Sequence, residues 1–475
     1  LEKEAKTFAS AVAESPDSPR QHAQNFFGSF FQKGTASLAA NGPTLVRELG
    51  RWDLAGLMIN STIGAGILGL PGKIYALVGI WCVPLCLAGG VLAALVAASF
   101  AQAGSRFNRT GGAYLFAYEA LGPAAGFAVG WLMLVSMSMS FAAVTNLAVS
   151  YIGAIWPVLL TPSGRFMGIT AMVLGLSIPV YRGVRLSAHA HNGFTLCKLA
   201  LLGGFVAISL PAIAHHGFSI SPLPPVSNIA PALLLLIFAF GGMEATVISC
   251  GEMRHPARDI PFALAVGVLA VVALYSMVFA GSMALVPGLA GSARPLFDGA
   301  VAALGRAGGA CVVVGGAISI SGVMFVILFS LPRIVFALAA KNQFPTAFMA
   351  LHAEFRTPTT AVLACSGLTW VLAVSSSFLF AVQVGVLVRL MMYATVAAAS
   401  LRLRRLGYCE TPAPLQFPGG GAVAWGALAL CLAIIAQSTR AEFIGVGVAL
   451  APAVLVLAAR GASTRRRLAR SADPI

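Results

Sequence analysis

The chain has 475 residues, 58% of them hydrophobic and only 9% charged, and its mean hydropathy is +0.88. Soluble domains carry about 25% charged residues, so this composition excludes a surface that faces water all round. The formal net charge of +15 would suggest nucleic acid in a soluble protein, but the cations sit between apolar stretches, where membrane topology accounts for them without a nucleic-acid partner.

Residues 1–50 lack the short apolar core of a signal peptide and include the polar run SPDSP at 15–19, so they are expected to form a largely disordered cytoplasmic tail. About 20 apolar residues cross the hydrocarbon core. Twelve such stretches follow, at 54–79, 80–103, 122–153, 165–182, 189–211, 230–252, 261–287, 309–340, 358–378, 380–402, 422–438 and 441–460. In lipid a helix satisfies its own backbone, and the ten-residue alternation of a barrel strand is missing, so the spans are read as α-helices. With the N-terminus cytoplasmic, seventeen Lys and Arg fall on inner segments, against five on outer ones (Lys73, Arg165, Arg294, Arg306 and Arg440). That bias places both termini in the cytoplasm. The basic tail 461–475, with RRRLAR at 465–470, acts as a topology anchor or meets anionic headgroups of membrane lipids.

Two spans contain glycine clusters at mid-depth, IGAGI at 63–67 in span 1 and FGG at 240–242 in span 6, five helices apart. Such clusters either pack helices closely or interrupt the first helix of each of two inverted five-helix repeats. Asn60, Ser61 and Thr62 abut the first cluster and Glu244 follows the second. Polar groups at this depth favour a cavity. The repeats would then be 51–211 and 212–405, with 406–460 adding two helices. Lys198 in span 5 lies about 20 Å from either helix end at 1.5 Å per residue, too deep for snorkelling. Arg389 in span 10 is a second buried cation, expected to need an ion pair or a carbonyl anchor. The eight cysteines show no CxxC spacing, so neither a disulfide framework nor a metal site is implied. HExxH, GxSxG and GxxxxGK[ST] are missing, which argues against an enzyme or an ATP-driven pump, and no cofactor is expected.

Six motifs occur in order: IGAGILGLPG at 63–72, RTGGAYLFAYEALGPAAGFAVGW at 109–131, YRGVRLSAHAHNGFTLCKLALL at 181–202, FAFGGMEATVISCGEMRHPARDIPFAL at 238–264, LPRIVFALAAKNQFP at 331–345 and FRTPTTAVL at 355–363. Through them the chain resembles the amino acid, polyamine and organocation transporter superfamily from about residue 52 to 460. The resemblance implies an all-α polytopic membrane protein with twelve transmembrane helices. They would form a LeuT-like five-plus-five inverted repeat with broken helices 1 and 6, plus two extra C-terminal helices.

The implied activity is secondary active transport of amino acids, with proton-coupled uptake of neutral amino acids across a bacterial inner membrane as the leading reading. An amino acid or polyamine exchanger is the alternative, and a channel or non-transporting receptor on the same fold the rival class. The implied partners are an amino acid substrate, protons and membrane lipids. By resemblance, the segment Ile63, Gly64, Ala65, Gly66 and Ile67 holds the substrate, its carboxylate on the amides of Ala65, Gly66 and Ile67. The amino group would lie on carbonyls near Thr62, Ile63, Phe238 and Gly241. Family members often have Ser where Ala65 stands, so a hydroxyl contact is lost there. Phe238 matches an aromatic lid or is simply packed, and Glu244 is a gating or proton-binding carboxyl or a helix-end partner. Lys198 occupies the place where sodium-coupled relatives of the fold bind a cation. It serves either as a proton carrier or as a permanently charged pin between helices 1, 5 and 8. Ser136, Met137 and Phe141 are candidate selectors, and Ser319, Ser321 and Ser330 are candidate partners of Lys198.

Overall fold

The computed structural model describes residues 50–107, 111–183, 188–215, 221–248, 255–341, 343–352, 354–355, 357–411, 414–416 and 419–454. Both tails, for which disorder and lipid contact were expected, lie outside the described residues. Those described are overwhelmingly helical. In chain order the helices are α1 (Arg51–Thr62), α2 (Ala65–Gly69), α3 (Pro71–Val78), α4 (Cys82–Gly104), α5 (Gly112–Leu121), α6 (Pro123–Ile152), α7 (Pro162–Tyr181) and α8 (Ala188–His215). They continue with α9 (Val226–Ala239), α10 (Glu244–Ile248), α11 (Pro256–Leu285), α12 (Pro295–Ala340), α13 (Thr359–Ser375), α14 (Phe378–Leu406) and α15 (Gly420–Ala436), and then α16 (Arg440–Val454).

Local chemistry sets the ends. Asp53 accepts from the Gly50 amide at the start of α1, Thr161 caps α7, and Ser377 caps α14, each supplying an acceptor to an orphan amide. Arg404 and Arg405 occupy the last turn of α14, where the helix dipole favours cations. Within α12, Gly305 has φ of 66° and ψ of −157°. That backbone is open to glycine alone at little cost, and it divides a short leading helix from the span expected at 309–340.

Seven helical runs are long and apolar enough to cross a bilayer: Pro71–Gly104, Pro123–Ile152, Pro162–Tyr181, Gly193–His215, Pro256–Leu285, Pro295–Phe336 and Phe378–Leu406. Gly420–Ala436 and Arg440–Val454, bent by 109°, make an eighth when taken together. The twelve expected spans include in addition the shorter apolar helices α9 and α13, separate α1–α3 from α4, and take Gly420–Ala436 and Arg440–Val454 as two crossings. They also miss α5, which turns into α6 at Gly122. The protein is an integral membrane protein of α-helices.

Among the long helices α6 and α14 are the most buried, whereas α7 and α8 keep most of their surface on the outside. α14 lies along α6, which also meets α12; α11 packs on α1 and α4. This centre surrounds the two short helices α2 and α10.

Candidate functional site: a cavity between two interrupted helices

α1 stops at Thr62. Ile63 is extended (φ −72°, ψ 100°), Gly64 leaves the helical region (φ −137°, ψ −145°), and α2 restarts at Ala65. α9 stops at Ala239, and the chain turns through Gly242, whose φ of 117° suits glycine, before α10 begins at Glu244. The glycine clusters therefore mark real interruptions.

The two interruptions touch. A Cβ on Gly66 would lie 2.5 Å from the Cα of Ala239, and one on Gly242 would collide with the Ser61 carbonyl. Gly66 thus serves close approach of the two breaks, in addition to any role toward a ligand. Tyr275, fully buried on α11, reaches both ends: its hydroxyl lies 3.2 Å from the Thr62 carbonyl and 3.1 Å from the Ala239 carbonyl. Helix C-termini leave carbonyls without intrahelical partners. One phenol serves both ends with a single proton, so Tyr275→Phe should lower the unfolding free energy by about 1–2 kcal/mol. An unchanged midpoint of thermal unfolding in detergent would show that the bridge carries no stability.

Beside the breaks lies a cavity of about 160 Å³. Of the expected site residues, Thr62, Gly64, Ala65, Gly66, Phe238, Gly241, Glu244 and Lys198 line it. Ile63 and Ile67 belong to the break by their backbone, but their side chains are buried in the hydrophobic core. On α6 the walls are Met133, Ser136, Met137, Ser140 and Val144, while Phe141 points into the core. The α12 wall consists of Gly322, Val323, Val326 and Ile327 and does not include Ser319, Ser321 or Ser330.

Lys198, 2% exposed, donates from Nζ to the Asn60 carbonyl at 2.9 Å. Its acceptor is thus backbone in the last turn of α1 rather than a serine of α12. Arg389, whose role the sequence left open, forms an ion pair through Nε with Glu244 Oε1 at 3.4 Å and donates from Nη2 to Ser140 Oγ at 2.9 Å. Glu244 Oε2 accepts from the Gly242 amide at 3.0 Å and from the Tyr393 hydroxyl at 2.7 Å. Phe238 lies under the Arg389 guanidinium, 6.0 Å from its carbon to the ring centre. Ser140, Tyr275 and Tyr393 were missed from sequence. The available signal was a phenol deep in an apolar helix, which needs a partner when buried.

The cavity is asymmetric about the first break. Leu57, Asn60 and Ser61, on its N-terminal side, line the space. On the C-terminal side Tyr151 donates to the Leu68 carbonyl at 2.6 Å, and Gly69 is packed against Leu147 and Phe378. Further along, Arg165 Nη2 donates to the Ser376 carbonyl at 2.7 Å and Nε to Asn146 Oδ1 at 3.1 Å, tying α7 to α13 and α6. Asn146, Arg165, Ser376 and Phe378 also line a second pocket on that side.

Two interrupted helices thus meet beside a mostly apolar cavity that carries a few polar and charged groups, in a helical membrane protein. Residues 49–459 match the family described as amino acid permease, and the chain belongs to that family. It is 26% identical over 442 residues to the branched-chain amino acid permease BcaP of Bacillus subtilis (strain 168), covering 86% of this chain and 92% of the relative. It is 28% identical over 336 residues to the serine/threonine exchanger SteT of the same organism, covering 67% and 74%. With cationic amino acid transporter 4 of Homo sapiens it shares 27% over 383 residues, 76% of this chain but only 60% of the relative.

Proposed function

We propose that the protein is a secondary active transporter that takes up neutral amino acids together with protons, by alternating access to the cavity between the two interrupted helices. The observation that carries this reading is the meeting of the breaks at Gly66–Ala239 and Ser61–Gly242 beside a cavity whose mostly apolar wall carries Lys198, Glu244 and Arg389. The amides at the start of α2, from Ala65 to Ile67, are the proposed seat of the substrate carboxylate, because a helix start presents unpaired donors. Carbonyls of Ile63 and Gly241 are the proposed seat of the ammonium group. The Thr62 carbonyl already meets Tyr275, and that of Phe238 accepts from the Gly241 amide at 3.1 Å, so these two are secondary.

Lys198 is the proposed proton carrier. A lysine this deep has its charge cost set by access to water, and its bond to the Asn60 carbonyl ties that cost to the position of α1. In this proposal the twelve-span, five-plus-five organisation holds, both termini are cytoplasmic, and the membrane is the bacterial inner membrane. The relatives are named for branched-chain, cationic and hydroxyl amino acids, so the substrate must be read from the cavity.

Uptake into proteoliposomes tests the reading: labelled neutral amino acids should enter faster under an inward proton gradient without sodium. Uptake that requires internal amino acid and ignores the gradient would make the protein an exchanger. The ethyl ester of a carried amino acid should compete at least about tenfold less well than the acid, since a charge-assisted hydrogen bond contributes about 1.5–3 kcal/mol. Equal competition would remove the carboxylate from the recognition scheme.

A further inference from the structure

The ion pair in the cavity wall is engaged unequally. Glu244 is bound by the Gly242 amide, by Tyr393 and by Arg389. Arg389 is paired with Glu244 through Nε by charge alone, without a hydrogen bond, and donates from Nη2 to Ser140, while Nη1 donates to no acceptor among the described residues. That nitrogen lies against Gly241, where any side chain would overlap it, so the glycine leaves room for a guanidinium at the cavity. Lys198 and Arg389 are the cations among the lining residues and Glu244 is the single anion. A ligand with a second positive charge meets surplus positive charge and an occupied carboxylate. A ligand with an oxygen acceptor meets a free, fixed donor.

We infer that Arg389 is a specificity-determining residue: it rejects amino acids and amines with a cationic side chain and donates to a hydroxyl or carboxamide oxygen on the side chain of the substrate. The inference rests on the amino acid carrier reading and assigns the substrate class of the same site.

The test is counterflow of labelled L-serine and, separately, L-leucine in proteoliposomes, with L-asparagine, L-aspartate, L-leucine, L-lysine and putrescine as competitors. In the wild type, asparagine should compete more strongly than leucine, which has a similar shape, and lysine and putrescine should fail. Removing a unit charge about 6 Å away, at an effective dielectric constant of about 20, corresponds to roughly a hundredfold in affinity. Arg389→Met should therefore reverse the asparagine-to-leucine preference and admit lysine by at least tenfold. Glu244→Gln, which keeps shape and leaves Arg389 without its anion, should raise competition by aspartate relative to asparagine about tenfold. Strong competition by lysine in the wild type, or unchanged competitor ratios in either variant, would overturn the role of Arg389 and leave the carrier reading standing. Failure of every amino acid to exchange in the wild type would overturn both.

Discussion

Lys198→Ala is expected to uncouple accumulation from the proton gradient while binding and exchange persist. With one proton per substrate, each unit of imposed pH difference should raise the accumulation ratio about tenfold in the wild type, because one pH unit corresponds to about 1.36 kcal/mol. In the alanine variant the ratio should stay near one at every gradient. The direction follows from where the proposal puts the proton: Nζ is 2.9 Å from the Asn60 carbonyl, in a residue that is 2% exposed. A charge there depends on α1 for its compensation. If the variant keeps the tenfold response, Lys198 is a structural pin, and the Glu244, Arg389 and Tyr393 network becomes the place to seek a proton path.

Gly66→Val should abolish transport and also weaken the fold. A Cβ at this position would lie 2.5 Å from the Ala239 Cα and 2.9 Å from its Cβ, so the two breaks must separate before a branched residue fits. Overpacking of this kind costs about 1–3 kcal/mol, read as a lower unfolding midpoint in detergent. Gly64→Ala is the control, since its Cβ would meet nothing closer than the Thr62 carbonyl at 4.0 Å. Equal loss of midpoint in both variants would show that the effect at Gly66 is not contact with Ala239. A Gly66→Val protein with normal uptake would remove the first break from the transport path.

The breaks were legible because glycine and polar residues at mid-span have few uses in a lipid-facing helix; IGAGI and FGG lie within a residue or two of the places where α1 and α9 stop. Depth was legible too, since rise per residue puts Lys198 and Arg389 far from either end. Partners were not. Lys198 finds a backbone carbonyl 138 positions away, and a carbonyl has no sequence signature. The choice of Ser319, Ser321 and Ser330 failed because a helix that is apolar on every side gives no periodic clue to which face turns inward. Gly322, Val323 and Val326 take that place. Glu244 and Arg389 could each be recognised as costly charges, yet their pairing across α10 and α14 emerged only from the packing.

A phenol has one proton to give, and that of Tyr275 stands almost equidistant from two acceptors, at 3.2 and 3.1 Å. It can bond fully to only one of them at a time. If either half-helix swings away, the hydroxyl keeps a partner in the other, so the joint never has to strand a buried donor in apolar surroundings. Movement of one arm is thereby cheap, while movement of both together is penalised. In the proposed alternation Tyr275 would work as a two-way hinge pin, resisting a state in which both arms come loose.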